Sequence, residues 1–256
     1  MSRLGFIGTG CITAAMVRGL KGSDLRDWPI VLSPRNAELS RSLAETVPGV
    51  AVADSNQSVI DAVDIVVLAV RPQVAAAVLD GLRIGPDRTV ISLIAATPSD
   101  RIAQWTGAGQ ICRAIPLPFV EERSDVTPVF PPLPAALQIF GALGKALPVQ
   151  DQASFDLYAA VSALMGTYFG LMETSTRWAE GNGLPAGDAR TYLAGLFQNL
   201  SRVAQSSPSS FAELRTAHST AGGLNEQVFA DFARLGGPAA LTAALDAVLR
   251  RISGGR

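Results

Sequence analysis

The sequence predicts an α/β N-terminal half, built on a doubly wound and mostly parallel sheet, followed by an all-α C-terminal half. Three observations carry this. A short apolar run, Arg3 to Ile7, ends in Gly8 and feeds a segment with apolar residues at helical spacing, Cys11 to Leu20. After Asp64 the run Ile65-Val-Val-Leu-Ala-Val70 is apolar throughout, as expected of a strand buried on both faces of a parallel sheet. Beyond Pro148 to Asp151 no further strand is expected, and helical periodicity takes over.

Taken in order, the first strand and helix are followed by a strand at Pro29 to Leu32, a helix at Ala37 to Glu45, a strand at Val50 to Ala53 and a helix from about Ser58. Arg71-Pro72 ends the Asp64 to Val70 strand. A helix over Val74 to Leu82 and strands at Thr89 to Ile94 and Gln110 to Ile115 continue the alternation, which connection rules wind right-handed. The proline cluster from Pro116 to Pro134 interrupts it, and Ala135 to Ala146 reads as a closing helix. Residues 1–149 thus form the first expected domain. Residues 150–256 form the second, with helices at Gln152 to Gly181, Pro185 to Ser206, Phe211 to Ala217 and Asn225 to Ile252.

Composition narrows the function classes. The chain is 48% hydrophobic and 17% charged with a formal net charge of -1, so a packed core is expected and nothing supplies the basic footprint that nucleic acid requires. Apolar stretches are broken by charge, Gly or Pro before the length of a membrane span, and no signal peptide is read at the N-terminus; a cytoplasmic protein is expected. Cys11 and Cys112 lack the spacing of a zinc or redox pair, and a single histidine, His218, excludes a His-rich metal site.

Gly8-Thr9-Gly10-Cys11-Ile12-Thr13 lies between a predicted strand and a predicted helix, the context of a Rossmann dinucleotide loop. One glycine permits the turn, the next lets backbone approach a pyrophosphate, and the helix N-terminus supplies free N–H donors. Thr13 stands at the third glycine position. The second strand ends in Leu32-Ser33-Pro34-Arg35-Asn36, without the carboxylate that holds a ribose 2′-hydroxyl. A serine hydroxyl and a guanidinium at Ser33 and Arg35 can hold a 2′-phosphate, which favours NADP(H) over NAD(H).

With this loop, Ser33-Pro34-Arg35, Asn56 and Leu68-Ala69-Val70-Arg71-Pro72-Gln73 in view, the chain resembles the pyrroline-5-carboxylate reductase family. The match continues through Ser92 to Ala96, Arg113-Ala-Ile-Pro116, Ser162, Tyr168 and Thr220-Ala221-Gly222-Gly223. The resemblance implies a Rossmann domain with a helical dimerisation domain, NADP(H) as cofactor, a small imine or imino-acid substrate and a homodimer or higher homo-oligomer. It makes Ala69, Val70, Arg71, Pro72 and Ala95 cofactor contacts beside Gly8, Gly10, Cys11 and Ile12, with Asn56 on the adenosine side.

Where the family pattern departs, the substrate half is affected. The family's Met-Pro-Asn-Thr-Pro is here Ile115-Pro116-Leu117-Pro118-Phe119, and its Ser-Gly-Ser-Gly-Pro-Ala-Tyr is Ser162-Ala-Leu-Met165-Gly-Thr-Tyr168. Its Ser-Pro-Gly-Gly-x-Thr loop is Thr220-Ala221-Gly222-Gly223-Leu224-Asn225. By resemblance Ser162, Thr220 and Asn225 are the candidate catalytic residues, and Gly222, Gly223, Leu117, Met165 and Tyr168 the candidate substrate contacts. Family members grip a substrate carboxylate with backbone N–H groups and hydroxyls near the glycine loop, and Gly222 and Gly223 can form such a nest. Asn225 equally suits a helix cap. His218 and Tyr168 are possible proton donors, each better read as structural.

The expected activity is NADPH-dependent reduction of a cyclic imine, with a substrate other than pyrroline-5-carboxylate allowed by the altered motifs. A regulator or scaffold that binds NADP(H) without turnover is the alternative. A β-hydroxyacid dehydrogenase needs a lysine in the first long helix of its second domain. The chain's lysines, Lys21 and Lys145, both lie outside Gln152 to Gly181, which leaves a hydroxyacid or ketone dehydrogenase as a distant alternative.

Overall fold

A computed structural model describes residues 1–254. They fall into two compact units, Met1–Ala159 together with the tail from Arg251, and Ala160–Arg250.

The first unit alternates strand and helix: β1 (Leu4–Ile7), α1 (Cys11–Lys21), β2 (Ile30–Leu32), α2 (Ala37–Thr46), β3 (Val50–Val52), α3 (Asn56–Ala62), β4 (Ile65–Leu68), α4 (Pro72–Leu79), β5 (Thr89–Ser92), α5 (Ser99–Thr106) and β6 (Gln110–Ala114). A 3₁₀ turn, Pro118–Glu122, leads to β7 (Asp125–Phe130), α6 (Pro134–Ala142) and β8 (Gly144–Pro148). The sheet order is β3-β2-β1-β4-β5-β6-β7-β8. Every neighbouring pair is parallel except β6 and β7. Strand order reverses between β1 and β4, the switch point at which open α/β sheets bind ligands.

Side-chain alternation divides the core. Leu4 and Phe6 of β1 and Ile65 and Val67 of β4 join one layer with Met16, Leu20 and Phe140. Ile7, Val66 and Leu68 join the other with Ile60, Leu79 and Ile102. The period of two thus gives β1 and β4 two buried faces, as their continuous apolar runs require.

Three expectations for this unit need correction. The stretch from Pro116 to Pro134 carries a strand, β7, despite Pro128, whose carbonyl accepts from the Ile115 N–H at 3.2 Å. The helix expected to reach Ala146 stops at Ala142, because Gly144 has φ +140 and sits so close to Asp125 that an added Cβ would lie 2.3 Å from its carbonyl oxygen. The chain then runs into β8 beside β7. Helix α5, unassigned in the sequence, connects β5 to β6.

The boundary expected at 149/150 coincides with the end of β8, yet the first unit continues into α7 (Gln152–Ser162). Arg113 on β6 explains this. Its guanidinium, nearly buried, donates to Gln152 Oε1 at 3.1 Å, lies 3.9 Å from Asp156 and stacks on the Phe155 ring at 4.6 Å. Burial pushes its pKa below the ordinary value, with Asp156 opposing.

The second unit consists of the end of α7 and α8 (Leu164–Gly181), α9 (Ala186–Ser206), α10 (Phe211–Ala217), α11 (Leu224–Arg234) and most of α12 (Gly237–Ile252). The last expected helix is two, bent by 55° at Gly236, whose φ is +87. Helices α7 and α8 make a 30-residue stretch long and apolar enough, by length and composition alone, to cross a membrane. This corrects the expectation that charge, Gly or Pro breaks every apolar stretch before that length: Gly166 and Gly170 lie within α8. Large apolar side chains stay open on the unit, among them Phe169, Trp178, Tyr192 and Phe211. Apolar faces of this extent mark an association surface.

Candidate functional site

The loop between β1 and α1 is shaped by two glycines with different duties. Gly8 has φ +100, and a Cβ there would lie 2.5 Å from the Ala69 carbonyl oxygen, so both conformation and the approach of β4 demand glycine. A Cβ on Gly10 would meet no atom within 4 Å. Among the described residues nothing fills that cradle. Gly10 caps α1 without a side-chain bond, the first turn holds no acid, and Arg18 and Lys21 occupy the last turn. The N–H groups and positive dipole end of α1 are therefore left for an anion.

Four side chains brace this loop. Ser33 Oγ accepts from the Gly8 N–H at 2.9 Å, and the Thr9 hydroxyl donates to the Ser33 carbonyl at 3.0 Å. Asn36 Nδ2 donates to the Thr9 carbonyl at 2.9 Å, and the Thr13 hydroxyl to the Gly8 carbonyl at 2.7 Å. Thr13, at the third glycine position, thus adds a bond to the turn. Ser33 departs from its expected role: it is fully buried, with its hydroxyl engaged by the loop, so it supports the glycine turn and does not present itself to a 2′-phosphate.

A groove of about 580 Å³ opens over the switch point. The glycine loop contributes Gly8, Gly10, Cys11 and Ile12, and the turn after β2 contributes Arg35. Ala69, Val70, Arg71 and Pro72 come from the end of β4 and the start of α4, and Ala95 from the turn after β5. Asn56, expected here, opens α3 and is not among the lining residues. Thr9, Asn36, Val74 and Leu93 also line it; Asn36 was legible as the neighbour of Arg35, and Leu93 lies within the Ser92 to Ala96 match. The lining holds two guanidinium groups and no carboxylate. Its electrostatics suit a polyanion with an apolar ring.

In the second unit, Thr220, Gly222, Gly223 and Asn225 come together in the loop before α11. The Gly223 N–H donates to the Thr220 carbonyl at 2.8 Å, and Gly222 has φ +70. Gly223 is the helix cap, so Asn225 does not cap: its Nδ2 donates to the His218 carbonyl at 2.7 Å. His218 closes α10, with Nδ1 2.8 Å from the Leu214 carbonyl oxygen. The Gly222 N–H donates to Glu226 Oε2 at 2.6 Å, a partner that the sequence reading missed.

Tyr168 lies edge-on to Phe169 and Phe197 and lines a cavity of about 920 Å³ between α8 and α9. Met165, one turn earlier, is partly exposed, and Ser162 ends α7. Leu117 belongs to the first unit, where its N–H donates to the buried Asp125 carboxylate at 3.1 Å.

Comparison with known proteins agrees with this arrangement. Residues 3–96 match the family model described as NADP oxidoreductase coenzyme F420-dependent, and residues 152–254 match pyrroline-5-carboxylate reductase dimerisation. A pyrroline-5-carboxylate reductase from Pseudomonas aeruginosa is 27% identical over 97% of this chain and 95% of its own length. The crystal structure of 1-pyrroline-5-carboxylate reductase from Streptococcus pyogenes has a similar fold, with TM-score 0.86 and 21% identity over 99% of this chain and 98% of that one. So does the Plasmodium falciparum pyrroline carboxylate reductase with NADP bound, at TM-score 0.81 and 16% identity over 99% and 97%. Both halves and the joining order coincide with those of pyrroline-5-carboxylate reductases, to which the chain is similar over nearly its whole length.

Proposed function

We propose that this protein is an NADPH-dependent reductase of a cyclic imine, acting as a homo-oligomer in the cytoplasm. The observation that carries the reading is the groove over β1 and β4: an open Gly10 cradle, an α1 N-terminus without an acid, and Arg35 and Arg71 with no carboxylate among the lining residues. The α1 N-terminus would hold the pyrophosphate and Arg35 the 2′-phosphate. Ala69, Val70, Pro72 and Ala95 offer apolar and backbone surface to the nicotinamide side. When bound, the cofactor supplies the hydride for the C=N carbon. The protein's share is orientation and the exclusion of water.

The dimerisation-family match over 152–254 and the open apolar faces support a second copy. The test has two arms. NADPH should bind about tenfold or more tightly than NADH, and Arg35→Ala should abolish that gap by weakening NADPH alone, since a charge-assisted phosphate bond is what the substitution removes. Purified protein should also oxidise NADPH with at least one member of a panel of pyrroline and piperideine imines. Binding without turnover would identify the non-catalytic regulator instead, and equal affinities would refute the Arg35 assignment.

A further inference from the structure

The loop before α11 has its own anion in place. Glu226, in the first turn of that helix, accepts the Gly222 N–H at 2.6 Å. Asn225, where the family has a substrate-contacting threonine, commits its amide nitrogen to the His218 carbonyl. The two polar groups best placed to receive a carboxylate are thus turned onto the protein itself. Among the described residues no Lys, Arg or His forms an ion pair with Glu226. Nearby Arg215 lies over the Phe229 ring at 4.4 Å, and Arg234 pairs with Asp231. The negative charge at the loop is left standing.

We propose that Glu226 is a specificity-determining residue that directs the enzyme away from imines bearing a carboxylate and toward uncharged ring imines. This rests on the reading that Thr220–Asn225 is the substrate loop of an imine reductase. A substrate carboxylate placed there meets a like charge and an N–H already spent, and a site built around unmet groups discriminates strongly. A neutral imine carries no such penalty, and once protonated it becomes a cation that a nearby carboxylate favours. As an acid at a helix N-terminus Glu226 also supports α11, so the test must read substrate charge and not stability.

The experiment compares kcat/KM for 2-methyl-1-pyrroline and for pyrroline-5-carboxylate, in the parent protein and in Glu226→Gln. The parent should favour the uncharged imine, and the variant should shift the ratio toward the carboxylated one by about tenfold or more. A parent that favours the carboxylated imine, or a ratio unmoved by the substitution, would overturn the proposal. Should neither imine be reduced while NADPH still binds, the imine-reductase reading fails by itself. Calorimetry with L-proline then decides about Glu226: tighter binding by Glu226→Gln supports the proposal, and equal binding overturns it.

Discussion

The hydroxyl of Ser33, at the end of β2, accepts the backbone N–H of Gly8, at the end of β1, at 2.9 Å. A part-buried donor is satisfied, and the turn that aims α1 at the groove is held by the neighbouring strand. Ser33→Ala removes the acceptor and leaves that N–H unpaired, at a cost of about 1–3 kcal/mol. Because the bond shapes the loop and reaches no phosphate, NADPH and NADH affinities should fall together. Chemical denaturation and titration of both cofactors check this, and a loss confined to NADPH would return Ser33 to the phosphate site.

The two loop glycines should separate stability from binding. Gly8→Ala forces a side chain into a φ of +100 and against the Ala69 carbonyl, so the protein should lose about 2 kcal/mol or more. Gly10→Ala places a methyl group in open space; thermal unfolding should be unchanged while NADPH affinity drops about tenfold, because the backbone can no longer close on the pyrophosphate. A Gly10→Ala protein with parental affinity would show that the cofactor does not cross this turn.

Thiol labelling offers a second report on the groove. Cys112 is fully buried, and burial pushes its pKa up to about 12, whereas Cys11 is exposed on the groove wall. A maleimide should therefore modify one thiol in the native protein, Cys11, and saturating NADPH should slow the reaction. Labelling unaffected by NADPH would contradict the groove assignment.

A carboxylate in the second unit provides a pH test. The Ser210 backbone N–H and then its hydroxyl hold the Glu213 carboxyl below its ordinary 4.5, in a capping box at the start of α10. A depressed folded-state pKa gives stability that is complete above the unfolded value and is lost as pH falls through the folded one. Carboxyl chemical shifts followed from pH 7 downward should place the Glu213 midpoint below that of free glutamate, and Ser210→Ala should raise it.

The Rossmann order, the helical second half and most groove residues could be read from the chain because they are local. The spacing in Gly8-Thr9-Gly10 and the apolar run before Ala69 are properties of a few consecutive residues, and the physics that uses them acts within a turn or a strand. Strand β7 was hidden by its proline and β8 by a helical composition that only Gly144, pressed on Asp125, interrupts. Through-space partners were equally out of reach. That Ser33 would turn inward, that Arg113 would anchor the start of α7, and that Glu226 would take the Gly222 N–H depended on packing that brings groups together in three dimensions. Composition and periodicity therefore determined which elements form and which cofactor chemistry is available. Tertiary structure decided which polar groups remain free to meet a ligand, because a buried donor or acceptor takes whatever partner the fold brings within reach.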